Sequence, residues 1–122
     1  KNFLKPELSI LENLHFYAKL QGSEILIPSA LAFFNLSEIA DRKIKTLSMG
    51  WQRRVMLAKL LCCPATIWLL DEPTNNLDKE GKEKLKGLIE TKVKEGSGLV
   101  IITSHDEFLF DLGVKLNMED FI

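Results

Sequence analysis

The stretch Ile67-Trp68-Leu69-Leu70-Asp71-Glu72 decides the fold of this chain. Its apolar residues run directly into two adjacent carboxylates. An uninterrupted apolar run of this length is typical of a strand buried on both faces, as in a parallel sheet. Such a strand ends at the edge of a crevice, where α/β folds bind their ligands. Asp71 and Glu72 are therefore candidates to hold a metal ion and to polarise a water, and the plainer alternative is a core strand followed by an acidic turn.

The overall composition is ordinary for a globular domain and argues against several other classes of protein. The formal charge of −1 gives no electrostatic reason to expect a nucleic-acid partner. The longest uncharged apolar stretch, residues 60–70, contains Pro64 and is too short to span a bilayer. Cys62 and Cys63 are adjacent, a spacing that fits no metal motif or disulfide framework. We therefore expect two reduced, buried thiols.

The first half of the chain is predicted to be helical. Ser9-Ile10-Leu11-Glu12 has the form of a capping box and begins a helix that continues to about Leu20. A second helix is predicted over residues 28–34, and a stronger third helix over 48–63. Because this part shows no alternating strand pattern, residues 1–63 are predicted to form a helical subdomain.

The second half is predicted to form a strand, a helix and a second strand. After the strand at 67–70, Asp78 can cap an amphipathic helix that ends near Glu95. That helix would place Leu85, Leu88, Ile89 and Val93 on one face. Residues 99–103, Leu-Val-Ile-Ile-Thr, are typical of a second buried strand. Two apolar strands joined by a helix form a βαβ unit with parallel strands, so the fold class is α/β, with residues 64–122 forming the sheet-bearing core.

Parallel strands bring their carboxyl ends to one edge of the sheet, and polar residues follow both strands here. Asp71, Glu72 and His105 are therefore expected to converge there. Asp71 suits a hard cation such as Mg²⁺. Glu72 can orient or deprotonate an attacking water, and His105 can bond a terminal phosphate oxygen. A lone histidine is more often a satisfied polar residue, but its place beside the acidic pair favours the functional interpretation.

The start of the third helix is a candidate phosphate site. Ser48 lies at the helix N-terminus, and Gly50 lets the backbone approach a ligand closely. The alternative is an ordinary serine N-cap, with Gln52-Arg53-Arg54 as a solvated polar patch.

These motifs together resemble the ATP-binding-cassette (ABC) ATPases. Residues 47–51, Leu-Ser-Met-Gly-Trp, resemble the LSGGQ signature, and residues 67–72 resemble the Walker B strand with its catalytic glutamate. Residues 75–78, Asn-Asn-Leu-Asp, resemble the D-loop, and His105 resembles the switch histidine. The order and spacing agree from the start of the chain to about Gly113. The resemblance implies a partial P-loop NTPase fold.

Within that superfamily, the chain is similar to the ATP-binding subunit of the bacterial haem exporter of cytochrome c maturation. The similar residues are 3–9, 12–16 and 52–55. The resemblance implies an ATP-hydrolysing subunit that lies on the cytoplasmic side of the bacterial inner membrane. Its implied partners are transmembrane permease subunits, onto which the helical subdomain would dock, and a second ATPase subunit in a head-to-tail dimer.

The resemblance also implies a role for each site residue. Asp71 would coordinate Mg²⁺, Glu72 would activate water, and His105 would sense the γ-phosphate. Ser48 and Gly50 would contact ATP held by the second subunit. Asp78 would help to couple the two nucleotide sites.

The chain departs from the family pattern in its signature. Met49 stands where the family has a small residue, and Trp51 stands where it has glutamine. Bulk at these positions would alter the approach of phosphate, and we expect Gln52 to supply some of the lost polarity.

A larger departure is that the sequence contains no Gly-x-x-x-x-Gly-Lys-Ser/Thr loop, which cradles the β- and γ-phosphates. The chain also opens at Lys1 and has its first methionine at Met49. We therefore expect the C-terminal half of an ABC ATPase that does not hydrolyse ATP in isolation. The alternatives are a non-catalytic remnant of such a subunit, or a soluble ABC ATPase acting on ribosomes or DNA.

Overall fold

The computed structural model of the chain describes residues 4–63, 67–94, 99–104 and 106. Helices α1, α2 and α3 precede a strand, β1, which is followed by helix α4 and strand β2. Their bounds are Ile10–Gln21 for α1, Ile27–Phe33 for α2, Met49–Leu61 for α3, Ile67–Asp71 for β1, Lys79–Lys94 for α4 and Leu99–Thr103 for β2. Short 3₁₀ turns cover Glu24–Leu26, Ser37–Ile39 and Ile44–Thr46. This element order confirms the predicted α/β fold.

Helix α1 is capped at both ends, and its N-terminal cap is the predicted capping box. The Glu12 backbone N–H donates to Ser9 Oγ at 3.0 Å, and the Ser9 N–H donates to Glu12 Oε1 at 2.8 Å. The bond from the Ser9 N–H lowers the pKa of the Glu12 carboxyl. At the other end, Gly22 has φ of 65° and adopts the left-handed conformation that often ends a helix. Glycine adopts this conformation most readily.

A buried asparagine fastens the segment before α1. Asn13 accepts the Lys5 N–H at 2.7 Å and donates to the carbonyls of Lys5 at 3.2 Å and Ser9 at 2.8 Å. Ser9 also forms an isolated antiparallel bridge with Lys43. The beginning of the described chain is thereby attached to the segment that leads into α3.

One hydrophobic core joins the helices to one face of the sheet. Phe34 is fully buried and packs edge-to-face against Phe33, with 5.0 Å between ring centroids. The core includes Ile10, Leu14, Ala18, Ile27, Phe34, Leu36, Val55, Ala58, Leu70, Leu85 and Ile89. Residues 1–63 and 64–122 both contribute to this core. The boundary proposed between them stays a prediction.

The two strands are parallel, in a register that runs from Ile67 opposite Leu99 to Asp71 opposite Thr103. This confirms the predicted βαβ unit. Burial alternates along β1, so that Trp68 and Leu70 are buried whereas Ile67 and Leu69 are 53% and 70% exposed. The expectation of a strand buried on both faces is therefore wrong. The core layer that includes α4 covers only one face of β1, so the side chains on the other face remain accessible.

Other sequence predictions need smaller corrections. On α4, Leu85 and Ile89 are buried and Leu88 is half-buried, but Val93 is exposed because it lies in the last turn. Cys62 and Cys63 are both free thiols, as predicted, although only Cys62 is buried. Burial raises the pKa of the Cys62 thiol. Among the described residues, no helix combines the length and apolar character needed to cross a membrane.

Candidate functional site

Asp71 and Glu72 lie at the carboxyl end of β1, beside the end of β2. The Thr103 hydroxyl donates a hydrogen bond to Asp71 Oδ1, and the Glu72 backbone N–H donates to the Thr103 carbonyl at 2.7 Å. Glu72 has φ of 46°, a left-handed conformation that costs a non-glycine residue about 1 kcal/mol or more. The ladder bond to Thr103 helps to hold it there. The acidic pair is thus placed at the sheet edge by the strand ladder, as predicted.

The predicted partner of this pair, His105, lies outside the described residues. Thr103 and Ser104, which precede it, stand at the same edge of the sheet. The convergence of Asp71 and Glu72 with His105 therefore stays a prediction.

The chemistry of the residues at this edge is compatible with a hard divalent cation such as Mg²⁺. Within the described part of the chain, no group of three histidine, cysteine or acidic side chains forms a closed metal site. Asp71 offers one exposed carboxylate, oriented by Thr103. One or two protein carboxylates completed by phosphate oxygens and waters are the usual ligands of Mg²⁺ at nucleotide sites.

Ser48 is the N-cap of α3. Its Oγ accepts the Trp51 N–H at 3.3 Å, so the N-cap interpretation is confirmed. The serine is exposed, and its hydroxyl hydrogen remains available for donation to an oxyanion. The first turn of α3 carries no acidic residue that would offset the positive end of the helix dipole. Capping and phosphate binding are therefore compatible at this position.

Gly50 makes a close approach that the sequence does not reveal. A Cβ atom at Gly50 would lie 2.8 Å from the carbonyl oxygen of Asn76, closer than a carbon and an oxygen can pack. Arg53 Nε donates to the neighbouring Asn75 carbonyl at 3.2 Å. A glycine is therefore required to pack α3 against the loop of residues 72–78, whatever its role toward phosphate.

Gln52 hydrogen-bonds to the backbone at the start of the signature, and the expectation that it supplies some of the lost polarity stays a prediction. Its amide nitrogen donates to the carbonyls of Ile44 at 3.2 Å and Leu47 at 3.1 Å. Both carbonyls belong to the turn that leads into α3. Gln52 therefore helps to fix this turn.

Arg54 is the residue that sequence reasoning missed. The alternative interpretation of residues 52–54 as a solvated patch is wrong for Arg54, whose side chain is only 6% exposed. Its Nη2 donates to Asp78 Oδ1 at 3.1 Å and to Glu80 Oε1 at 3.0 Å, and its Nη1 donates to the Phe34 carbonyl at 3.3 Å. The signal that could have revealed it is helical spacing, because Arg54 precedes the buried Ala58 by one turn.

Asp78 joins the same cluster and caps α4, as predicted. Its Oδ1 accepts the Gly81 N–H at 2.8 Å. This bond, together with the charge of Arg54, lowers the pKa of the Asp78 carboxyl. Gly50 and Asp78 thus both lie where α3 packs against the 72–78 loop. Asp71 and Glu72 lie at the other end of that loop, where it leaves β1.

Comparison with known proteins places this geometry in a family. The family model described as "ABC transporter" matches residues 1–75. The chain is 40% identical over 104 residues to the cytochrome c biogenesis ATP-binding export protein CcmA of Rickettsia bellii, covering 85% of this chain and 53% of CcmA. The chain spans about half the length of the curated relatives that it matches.

Solved structures show the same architecture. The dimeric structure of MJ0796, described as a bacterial ABC transporter cassette, superposes with a TM-score of 0.80 at 28% identity, over 90% of this chain and 51% of that one. A post-hydrolysis dimer of MJ0796 with ADP and Pi superposes with a TM-score of 0.77 at 28% identity, over 87% of this chain and 50% of that one. Because the family model covers more than half of the sequence and the fold agrees with solved cassettes, the chain belongs to the ABC transporter family.

Proposed function

We propose that the chain is part of the ATP-hydrolysing subunit of an ABC transporter for haem export in cytochrome c biogenesis. The observation that carries this proposal is the acidic pair at the end of β1, where the strand ladder fixes Asp71 and the strained backbone of Glu72. Adjacent carboxylates at the carboxyl edge of a parallel sheet suit metal-assisted nucleotide hydrolysis.

The chemistry assigned to this edge is phosphoryl transfer from ATP to water. Asp71 would hold Mg²⁺, which neutralises charge on the phosphates when it is bound. Glu72 would accept a hydrogen bond from the attacking water and orient it toward the γ-phosphate. His105 would donate to a γ-phosphate oxygen in the same site.

The signature residues would bind a second ATP molecule. Ser48 and Gly50 would contact ATP that is held by a second ATPase subunit in a head-to-tail dimer, and Asp78 would help to couple the two sites. The exposed N-cap hydroxyl of Ser48 supports this role, and so does the dimeric state of the MJ0796 cassette.

The partners and the cargo are proposed from an exposed strip of α1 and from the sequence relatives. Phe16 and Leu20 are exposed one turn apart on α1, so the helical part presents an apolar strip that suits docking onto a permease. Such an assembly would hold the chain at the cytoplasmic side of the bacterial inner membrane. The 40% identity to CcmA favours haem export over action on ribosomes or DNA.

The test is a substitution in the assembled transporter that carries this sequence. Glu72→Gln keeps the size of the side chain but removes its basicity, so magnesium-dependent ATP turnover should fall about 10²–10⁴-fold. Cells that depend on this variant should also lose their c-type cytochromes. Glu90→Gln, an exposed change on α4, is the matched control and should preserve both.

The two readouts separate the parts of the proposal. Unchanged ATP turnover in Glu72→Gln would refute the catalytic role. Lost turnover with normal c-type cytochromes would refute haem export and leave the ATPase assignment standing.

A further inference from the structure

A polar seam joins the signature helix to the loop that follows the acidic pair. We use "seam" for Gly50, Arg53 and Arg54 of α3 together with residues 75–80. Gly50 packs against the Asn76 carbonyl, Arg53 donates to the Asn75 carbonyl, and Arg54 donates to two carboxylates beyond them. Within the described residues, the seam carries the direct side-chain hydrogen bonds between α3 and this loop.

The most buried member of the seam is a charged one. The Arg54 side chain is 6% exposed, whereas those of Asp78 and Glu80 are 70% and 61% exposed. The Trp51 ring lies over the Arg54 guanidinium, 4.9 Å from its carbon to the ring centroid, and helps to keep water from it. A guanidinium presents its donors in a rigid fork, so it fixes the directions of its partners as well as their charge.

Arg54 and its partner Asp78 lie on two segments to which the proposed function gives a role. Arg54 lies on the helix that Ser48 begins, and Asp78 ends the 72–78 loop. We propose that Arg54 is a positioning residue that locks the Asp78 loop to the signature helix, so that the two nucleotide-contacting segments move as one unit. The inference rests on the proposed function for the roles of Ser48 and Asp78, but the lock itself requires no nucleotide.

Two simpler roles make different predictions. If Arg54 only stabilised the core, its loss would loosen α1 as much as the loop. If Asp78 served only as a helix cap, loss of Arg54 would leave the loop unchanged, because the Gly81 N–H would still donate to Asp78 Oδ1. Locking predicts a loosening that includes residues 75–78 and spares α1.

Amide hydrogen exchange on the 122-residue chain without nucleotide distinguishes these roles. The reporter is the Leu77 amide, which donates to the Thr74 carbonyl at 3.1 Å. In Arg54→Met, exchange at Leu77 should become about tenfold faster, since charged hydrogen bonds are lost. Exchange at Leu14 on α1 should not change. Arg42→Met is the matched control, because Arg42 donates to the Thr46 carbonyl outside the seam.

A second variant tests the same lock without removing a buried charge. Trp51→Gln uncovers the guanidinium and should speed exchange at Leu77 by about two- to fivefold. This variant decides the matter if Arg54→Met does not fold. Unchanged exchange at Leu77 in the folded variants, or an equal increase at Leu14, would overturn the proposal. Neither result would bear on the Glu72→Gln experiment, so failure of the lock and failure of the ATPase assignment are distinguishable.

Discussion

The helical part of the chain and the strand-bearing part differ in how completely they bury their apolar side chains. Leu14, Ala18 and Phe34 are fully buried among the helices, whereas Ile67 and Leu69 of β1 stand 53% and 70% exposed. A helix has one apolar stripe, which its sequence neighbours can cover. A strand in a parallel sheet has two faces, and each needs a packed layer. The helices therefore enclose buried side chains between them, whereas one face of β1 stays open.

The strongest test of this difference compares one buried and one exposed apolar residue. Phe34→Ala should lower the free energy of unfolding by about 3–5 kcal/mol, because it leaves a cavity among the helices. Leu69→Ala should change it by less than about 1 kcal/mol, because the side chain is already accessible. Urea denaturation followed by circular dichroism measures both. Equal losses would mean that the exposed face of β1 is covered in solution.

Gly50→Ala tests the junction between the two parts. The added methyl group would meet the Asn76 carbonyl at 2.8 Å, so we expect a loss of about 1–3 kcal/mol in stability. Gly87→Ala is the matched control on α4, where no heavy atom lies within 4 Å of the new Cβ. There the change should stabilise the helix by about 0.5–1 kcal/mol. A stability gain in Gly50→Ala like that expected in Gly87→Ala would indicate that α3 and the loop do not touch.

The exposed face of the sheet should also affect association. Ile67, Leu69 and Ile101 are each about half exposed or more, so the isolated chain should self-associate as its concentration rises. Leu69→Thr keeps a strand-forming side chain and should weaken association by about 1 kcal/mol. Ile25→Thr, at an exposed apolar residue of the helical part, should have a smaller effect. Sedimentation analysis measures both, and a sharp, monomeric unfolding transition of the unchanged chain would contradict the expectation.

Local signals in the sequence were sufficient for the elements and for the acidic pair. The capping box at Ser9, the N-cap serine of α3 and the apolar run of β1 all act through neighbours within a few residues. These features are therefore visible to a reader of the sequence alone.

Features that depend on tertiary partners were not predictable in the same way. The burial of Arg54 depends on carboxylates that lie 24 and 26 residues away, and the need for glycine at position 50 depends on the Asn76 carbonyl. The hydrogen bonds of Gln52 are not visible in the sequence because its acceptors are backbone carbonyls, which carry no sequence signature. The exposure of Leu69 depends on which layers cover the sheet, and a single strand pattern does not report that.

The smallest expected effect is on the pH dependence of stability. It concerns two carboxylates at helix N-termini, one in each part of the chain. Glu12 on α1 and Asp78 before α4 both accept backbone N–H bonds, and both have pKa values lowered by those bonds. A carboxyl whose pKa is lower in the folded state stabilises the protein above its unfolded pKa of about 4. That contribution is lost as the pH falls through the folded pKa. Stability should therefore decline in acid, and less steeply in Glu12→Gln or Asp78→Asn.

The two carboxylates should nevertheless differ in what their protonation releases. Among the described residues, the hydrogen bond of the Glu12 carboxylate stays within its own capping box, so protonation should loosen the first turn of α1. Asp78 also accepts from Arg54, so its protonation should loosen Leu77 as well as the Gly81 amide. Exchange at both amides, followed from pH 6 to about pH 3 after correction for the intrinsic rate, measures this difference. If acid loosened Gly81 but left Leu77 protected, the two carboxylates would be equivalent local caps, and the junction between the parts would depend on packing at Gly50 instead of charge at Arg54.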